Sequence, residues 1–114
     1  YVCSMQDKLE EIFSLQKSLA EMMNLDRYPK DVEGKVSALC TAMIHEAVEL
    51  QRTTNWKWWK KTTPFNKAEA REELIDIWHF LIQASIELNL TPDEILKEYQ
   101  RKNEINRQRQ KDGY

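Results

Sequence analysis

Glycine and proline are nearly absent from this chain. Two glycines and three prolines among 114 residues leave few turn formers, and strands need turns, so an all-α fold is the first expectation. Cysteine is also scarce. Cys3 and Cys40 make no CxxC pair and no Cys/His cluster, which argues against a thiolate metal site. Cys40 lies among apolar helical positions and reads as a buried thiol. No apolar run is long enough to span a bilayer and no signal peptide is recognisable, so the chain is expected in the cytoplasm, without a membrane partner. A net charge of −2 gives no general pull toward nucleic acid either.

What is present is an ordinary folded composition, 41% hydrophobic and 32% charged, in a length that suits one domain over residues 1–114. A chain of this size leaves much surface exposed, and oligomerisation would help it. Helical periodicity divides it into four segments. Residues 5–23 follow Ser4 as a cap, with Leu9, Phe13, Gln16, Ala20 and Met23 on one stripe. Residues 24–34 form a connection holding Pro29 and Gly34; the second helix covers 35–52, with a start near Asp31 as the alternative. Its stripe is Leu39, Met43, Glu46 and Leu50. A long loop, 53–66, ends at Asn66, a cap for the third helix at 67–89. That helix is apolar around most of its circumference and should be the most buried. Thr91 and Pro92 then cap and open a fourth helix that runs to about residue 110.

The interruptions in these stripes carry the chemistry. Gln16 and Glu46 each replace an apolar residue at the centre of a stripe. The third helix has one narrow polar line, Glu72 or Glu73, Asp76, His79 and Gln83, and the fourth turns polar through Ile95, Tyr99, Lys102, Asn106 and Arg109. Groups so placed need partners, because an unpaired buried charge is strongly destabilising. Glu46 and Glu49 stand at i, i+3, as do Glu73 and Asp76. Each pair lies about 60° apart around its helix and about 4.5 Å along it, so both carboxylates can face one site. If the two helices are antiparallel neighbours, four carboxylates converge. A hard divalent cation such as Mg2+ is the natural neutraliser, its shell completed by water and substrate phosphate.

A single ExxE pair usually marks a solvated face; two such pairs on apolar-rich helices favour a site. A carboxylate-bridged di-iron centre needs two ExxH motifs, whereas this chain has one DxxH, Asp76 with His79, and His45 precedes Glu46 without ligand spacing. Residues 101–111, with five bases and one acid, offer Lys102, Arg109 and Lys111 as a phosphate clamp, or else form a solvated terminal helix. The run is too short and mixed for a nucleic-acid element.

Taken together, "LQKSL" (15–19), "HEAVEL" (45–50), "WKWWKK" (56–61), "EELIDIWHFL" (72–81) and "KNEINRQRQKDGY" (102–114) resemble the all-α nucleoside triphosphate pyrophosphatases, and within them the dimeric dUTPase family. The ExxE…ExxD pattern indicates the superfamily, which includes MazG-like and dCTP-cleaving enzymes. The aromatic–lysine loop and the KNxxNxxRQxxGY ending point to dUTPases. The resemblance implies Mg2+-dependent hydrolysis of dUTP to dUMP and pyrophosphate. It implies Glu46, Glu49, Glu73 and Asp76 as metal ligands, Gln16 and Trp58 as parts of the uracil and deoxyribose pocket, and His79 near the sugar. Lys60, Lys102, Asn106, Arg109 and Tyr114 would contact phosphates or close over the nucleotide; Asn103 and Gln110 match the ending without a separate role. Two departures stand out. Relatives often read LQxxLN where this chain has LQKSLA, so Ala20 takes the place of an amide and base selectivity stays open. The chain also lacks the helices that larger members insert between the third and fourth, which favours a site completed by a second subunit.

In this light the loop "NWKWWKK" (55–61) acquires a reading, because it joins the two acidic helices and lies at their ends. An indole can cover a base or sugar while lysines meet phosphate; alternatively the tryptophans anchor a dimer, with Trp59 suited to packing and Trp58 to contact. The implied mechanism is metal-assisted hydrolysis in which Glu46 or Glu49 orients a water and takes its proton. Gln16 can both donate and accept, as discrimination between uracil and cytosine requires. Two rivals stay open: a pyrophosphatase of the same fold acting on dCTP or several nucleotides, and a non-enzymatic helical interaction module, which Gln16 and Glu46 on core stripes argue against. The expected architecture is four helices in a bundle completed by a homodimer, since the third helix has more apolar surface than one subunit covers.

Overall fold

The computed structural model describes residues 7–113. They form four helices, α1 (Lys8–Met22), α2 (Val32–Gln51), α3 (Lys67–Glu87) and α4 (Pro92–Lys111), and no strand among the described residues. The ends are set by local chemistry. Asp7 is extended and its carboxylate accepts from the Glu10 amide at 3.2 Å, so it, and not Ser4, caps α1. Ser4 and residues 5 and 6 lie outside the described residues. The helix stops at Met22 because Met23 is extended, which leaves Met23 exposed rather than on the stripe.

The second helix takes the alternative start. Asp31 accepts from the Gly34 amide at 3.0 Å, placing Gly34 within the first turn rather than in the connection. A Cβ on Gly34 would lie 2.7 Å from Asp31 Oδ1 and 3.0 Å from Pro29 Cβ, so any side chain there would push the cap off its amide. At the other end of the chain an asparagine does the work usually given to glycine. Asn89 is left-handed (φ 58°) and closes α3: Leu90 N–H reaches the Ser85 carbonyl at 2.9 Å and Asn89 N–H reaches that of Ile86 at 3.0 Å. Thr91 and Glu94 then exchange side-chain-to-amide bonds of 3.1 and 3.2 Å, a capping box with Pro92 at the first helical position.

Packing is uneven. α2 and α3 lie against one another along their lengths, and they are antiparallel, since Lys35 pairs with Glu87 at one end and Glu46 meets Asp76 at the other. α1 lies on α3 with Phe13 and Gln16 inward but does not touch α2, so a cleft opens between α1 and α2 with α3 as its floor. α4 packs on α1 alone and buries no side chain. α3 contributes Ala70, Ile82 and Ala84, three of the six buried residues, yet leaves Leu74, Ile75, Trp78 and Leu81 exposed. Cys40 is exposed, against the expectation of a buried thiol. α2 turns Leu39 inward, and the next residue, about 100° further round, faces away from α3. The radius of gyration is 18.0 Å, where a compact domain of this length would have about 13 Å. No described helix is long and apolar enough to cross a membrane.

Candidate active site

Glu46 from α2 and Glu73 and Asp76 from α3 each bring one oxygen within 4.8 Å of the other two. The i, i+3 spacing puts Glu73 and Asp76 on one face of α3, and antiparallel pairing brings Glu46 opposite. All three are half-buried, and none has an ion-pair partner among the described residues. Glu49, one turn beyond Glu46, is exposed and stands 3.9 Å from Arg52. Glu73 records the crowding: burial first, then the charges of Asp76, Glu46 and Glu49, hold its carboxyl above the ordinary carboxylate range. Three converging carboxylates with solvent access are the donor set of a hard divalent cation, which would relieve that repulsion. His79 stays outside this group. Its Nδ1–H donates to the Ile75 carbonyl at 3.0 Å, leaving Nε2 for other partners.

The cluster opens onto the cleft, a cavity of about 960 Å³, large enough for a nucleotide-sized ligand. α1 supplies Gln16, Leu19 and Ala20; α2 supplies Leu39 and Ala42 beside Glu46; α3 supplies Asp76, His79 and Phe80. Tyr28 and Pro29 of the α1–α2 connection close the far end. Gln16 is only 9% exposed, the one buried polar residue described. Its Nε2 donates to Gln83 Oε1 at 3.0 Å. Gln83 Nε2 donates in turn to Glu87 Oε2 at 2.9 Å, which also accepts the Tyr28 hydroxyl at 2.8 Å. Lys35 Nζ lies 3.7 Å from Glu87 Oε1. Burial alone would raise Glu87, but the bonds from Tyr28 and Gln83, with the charge of Lys35, outweigh it and hold the carboxyl below its ordinary range. Burial, followed by the bond to Glu87, pushes the Tyr28 hydroxyl far above its own.

The polar line on α3 pointed to Gln83 but stopped there. Continuing it four residues reaches Glu87, so a sequence signal existed. Tyr28 and Lys35 carried none, because one sits in an irregular connection and the other on the first turns of a helix with many charges.

The remaining expected residues are spread more widely. In the α2–α3 loop, Trp59 sits edge-on to both neighbouring indoles, 4.6 Å from Trp58 and 5.9 Å from Trp56 between ring centroids. Asn55 ties the loop across its width with two bonds of 2.9 Å to the Thr63 backbone. Trp58 is 85% exposed, and neither it nor Lys60 lines the cleft. Lys102, Asn106 and Arg109 lie on α4, which meets neither carboxylate-bearing helix, so one chain does not bring them to the cluster. Tyr114 lies outside the described residues. A second cavity, about 310 Å³, shares Gln16, Leu19 and His79 with the cleft and is otherwise apolar, lined by Ile12 and Leu15 of α1 and Ile75, Trp78 and Ile82 of α3.

Comparison with known proteins gives this arrangement a setting. A family model described as dUTPase matches residues 8–92, which takes in all of the cleft and the cluster and stops at the start of α4. The dCTP pyrophosphatase of Enterobacteria phage T4 is 32% identical over 126 aligned positions, covering 98% of this chain and 70% of that protein. The dCTP pyrophosphatase of Enterobacteria phage LZ5 is 32% identical over 108 positions, covering 84% of this chain and 62% of that protein. No solved structure matches the chain significantly.

Proposed function

The chain belongs to the all-α dUTPase family and is a nucleotide pyrophosphatase; from that premise we propose that it hydrolyses dUTP to dUMP and pyrophosphate with Mg2+, as a cytoplasmic homodimer. The observation that carries this reading is the carboxylate cluster opening onto a nucleotide-sized cleft with a buried amide in its wall. Glu46, Glu49, Glu73 and Asp76 would hold the metal. When bound, Mg2+ supplies neutralisation of the triphosphate charge and acidification of water. The chain's own groups do the rest. Glu46 or Glu49 orients the attacking water and takes its proton; Glu49, exposed beside the three-carboxylate group, has room to do so. Gln16 meets the base from the wall of the cleft, His79 lies beside the sugar, and Trp58 covers the nucleoside. Lys60, Lys102, Asn106, Arg109 and Tyr114 meet the phosphates and stabilise charge developing on the pyrophosphate leaving group.

The homodimer is supported by two features. α4 meets neither carboxylate helix of its own chain, and the apolar faces of α1 and α3 around Ile12, Leu15, Ile75 and Trp78 are uncovered. A second copy would cover those faces and carry its α4 to the site, delivering Lys102, Asn106 and Arg109.

A second reading, dCTP as substrate, is favoured by the names of both phage relatives and by Ala20 at the amide position of the base motif. One assay separates the two. The protein is incubated with dUTP, dCTP, dTTP and UTP in turn, with Mg2+ or with EDTA, beside the Glu49→Gln variant, and products are resolved by ion-exchange chromatography. dUMP from dUTP alone, lost with EDTA and in the variant, is the expected result. dCMP from dCTP selects the second reading. Cleavage of none of the four overturns both.

A further inference from the structure

Gln16 donates to Gln83 and Gln83 to Glu87, which the Tyr28 hydroxyl anchors from the other side, and we propose that this relay fixes the polarity of the Gln16 amide and so sets the choice between uracil and cytosine. This inference rests on the reading of the cleft as a pyrimidine nucleotide site.

The direction follows from donor and acceptor inventory. An ionised carboxylate only accepts, so Gln83 must turn its NH2 toward Glu87 to make the 2.9 Å bond. That turns Gln83 Oε1 toward Gln16, and a carbonyl oxygen only accepts. Gln16 must then present its NH2 to Gln83, as the 3.0 Å bond requires. Neither amide can flip without setting two acceptors, or two donors, face to face, and in a site this buried such a mismatch is strongly disfavoured. Glu87 itself is held by the Tyr28 hydroxyl at 2.8 Å and by Lys35 at 3.7 Å, so the terminal acceptor is anchored from a second helix and from the connection. Gln16 Oε1 takes part in no other bond among the described residues, and the residue lines the cleft.

The base edges supply the other half. Uracil offers a donor at N3 beside an acceptor at O4; cytosine offers an acceptor at N3 beside a donor at N4. An amide of fixed polarity matches one of these orders and opposes the other, whereas an amide able to flip accepts both. Gln83, Glu87 and Tyr28 also line the cleft, but in this scheme they act on base choice through Gln16. They are positioning residues.

The test compares wild type with Glu87→Gln and Tyr28→Phe, each verified as folded by far-UV circular dichroism. Binding of dUMP and dCMP with Mg2+ is measured by calorimetry, and kcat and KM are measured on dUTP and dCTP. Glu87→Gln keeps shape but adds a donor, so Gln83 and Gln16 can both turn over. Wild type is expected to prefer one base by about tenfold or more, Glu87→Gln to bring the two within about threefold, and Tyr28→Phe to move the same way by less. The change should lie in Kd and KM more than in kcat. An unchanged preference in folded Glu87→Gln overturns the relay while leaving the pyrophosphatase reading intact, as does a wild type that binds both bases equally. Should Glu87→Gln fail to fold, Gln83→Leu, which removes the acceptor that orients Gln16, decides by the same outcomes. A wild type that binds and cleaves neither nucleotide overturns the relay and the reading of the cleft together.

Discussion

Glu73 and Glu87 stand on one face of α3, about 21 Å apart along its axis, and the fold treats them oppositely. Glu87 accepts from Tyr28 and Gln83 and faces Lys35; its carboxyl is held below the ordinary range despite burial. Glu73 faces Asp76, Glu46 and Glu49 with no cationic side chain paired to it among the described residues, and its carboxyl is held above that range. The protein satisfies one of these carboxylates from its own side chains; the other is the one we propose a bound cation completes. Charge alone would not have separated them; the partners do.

The largest effect expected from breaking this contrast is on turnover. Glu73→Gln or Asp76→Asn should lower kcat/KM by at least about 100-fold, because each removes a carboxylate from the cation's donor set. Glu73→Gln should nonetheless melt no lower than wild type, since it also removes repulsion. Activity that survives either change would mean that the acidic end is a solvated surface after all.

Next in size is the stability of the satisfied end. Glu87→Ala strands the Tyr28 hydroxyl and one Gln83 donor, and should lower the urea-unfolding free energy by about 1–3 kcal/mol. Glu73→Ala should not. A smaller effect separates the two by ligand: millimolar Mg2+ should raise the melting temperature of wild type and of Glu87→Gln by a few degrees and leave Glu73→Gln unmoved.

The smallest effect is in pH. Glu87, with a folded pKa below its unfolded value near 4.5, contributes stability that is full above that pH and is lost as pH falls through the depressed folded value. Glu73 has the opposite sign: its folded pKa is raised, so the fold is most favoured below about 4.5 and loses ground as pH rises through the folded value. Melting curves across pH 3–7 without divalent cations should therefore lose their acid-side fall in Glu87→Gln and their rise-dependent loss in Glu73→Gln.

Much of this was legible in the sequence because it depended on neighbours three or four residues apart. Asn66, Thr91 and Pro92 announced helix starts, and the stripes of α1 and α2 put Gln16 and Glu46 where the fold buries or half-buries them. The paired spacings placed Glu46, Glu73 and Asp76 together once α2 and α3 were antiparallel, while Glu49, expected with them, stands outside the group beside Arg52. What escaped depended on distant segments. The bond from Tyr28 to Glu87 joins residues 59 apart, and although the polar line of α3 runs on to Glu87, nothing local marks Tyr28 as its partner. Cys40 looked buried from composition, but its exposure is decided by which side of α2 meets α3. The placement of α4 against α1 alone is likewise a matter of the turn at Asn89, not of the helix's own pattern.

That last feature has a kinetic side. With no buried side chain and a single packing neighbour, α4 is the element whose opening disturbs the least of the remaining structure. Its amides should exchange with solvent soonest among the four helices, fastest toward Lys111 and slower near the capping box at Thr91. The helix whose bases we propose to meet the phosphates would thus be tethered at one end and compliant at the other, while the hairpin that carries the carboxylates stays in place.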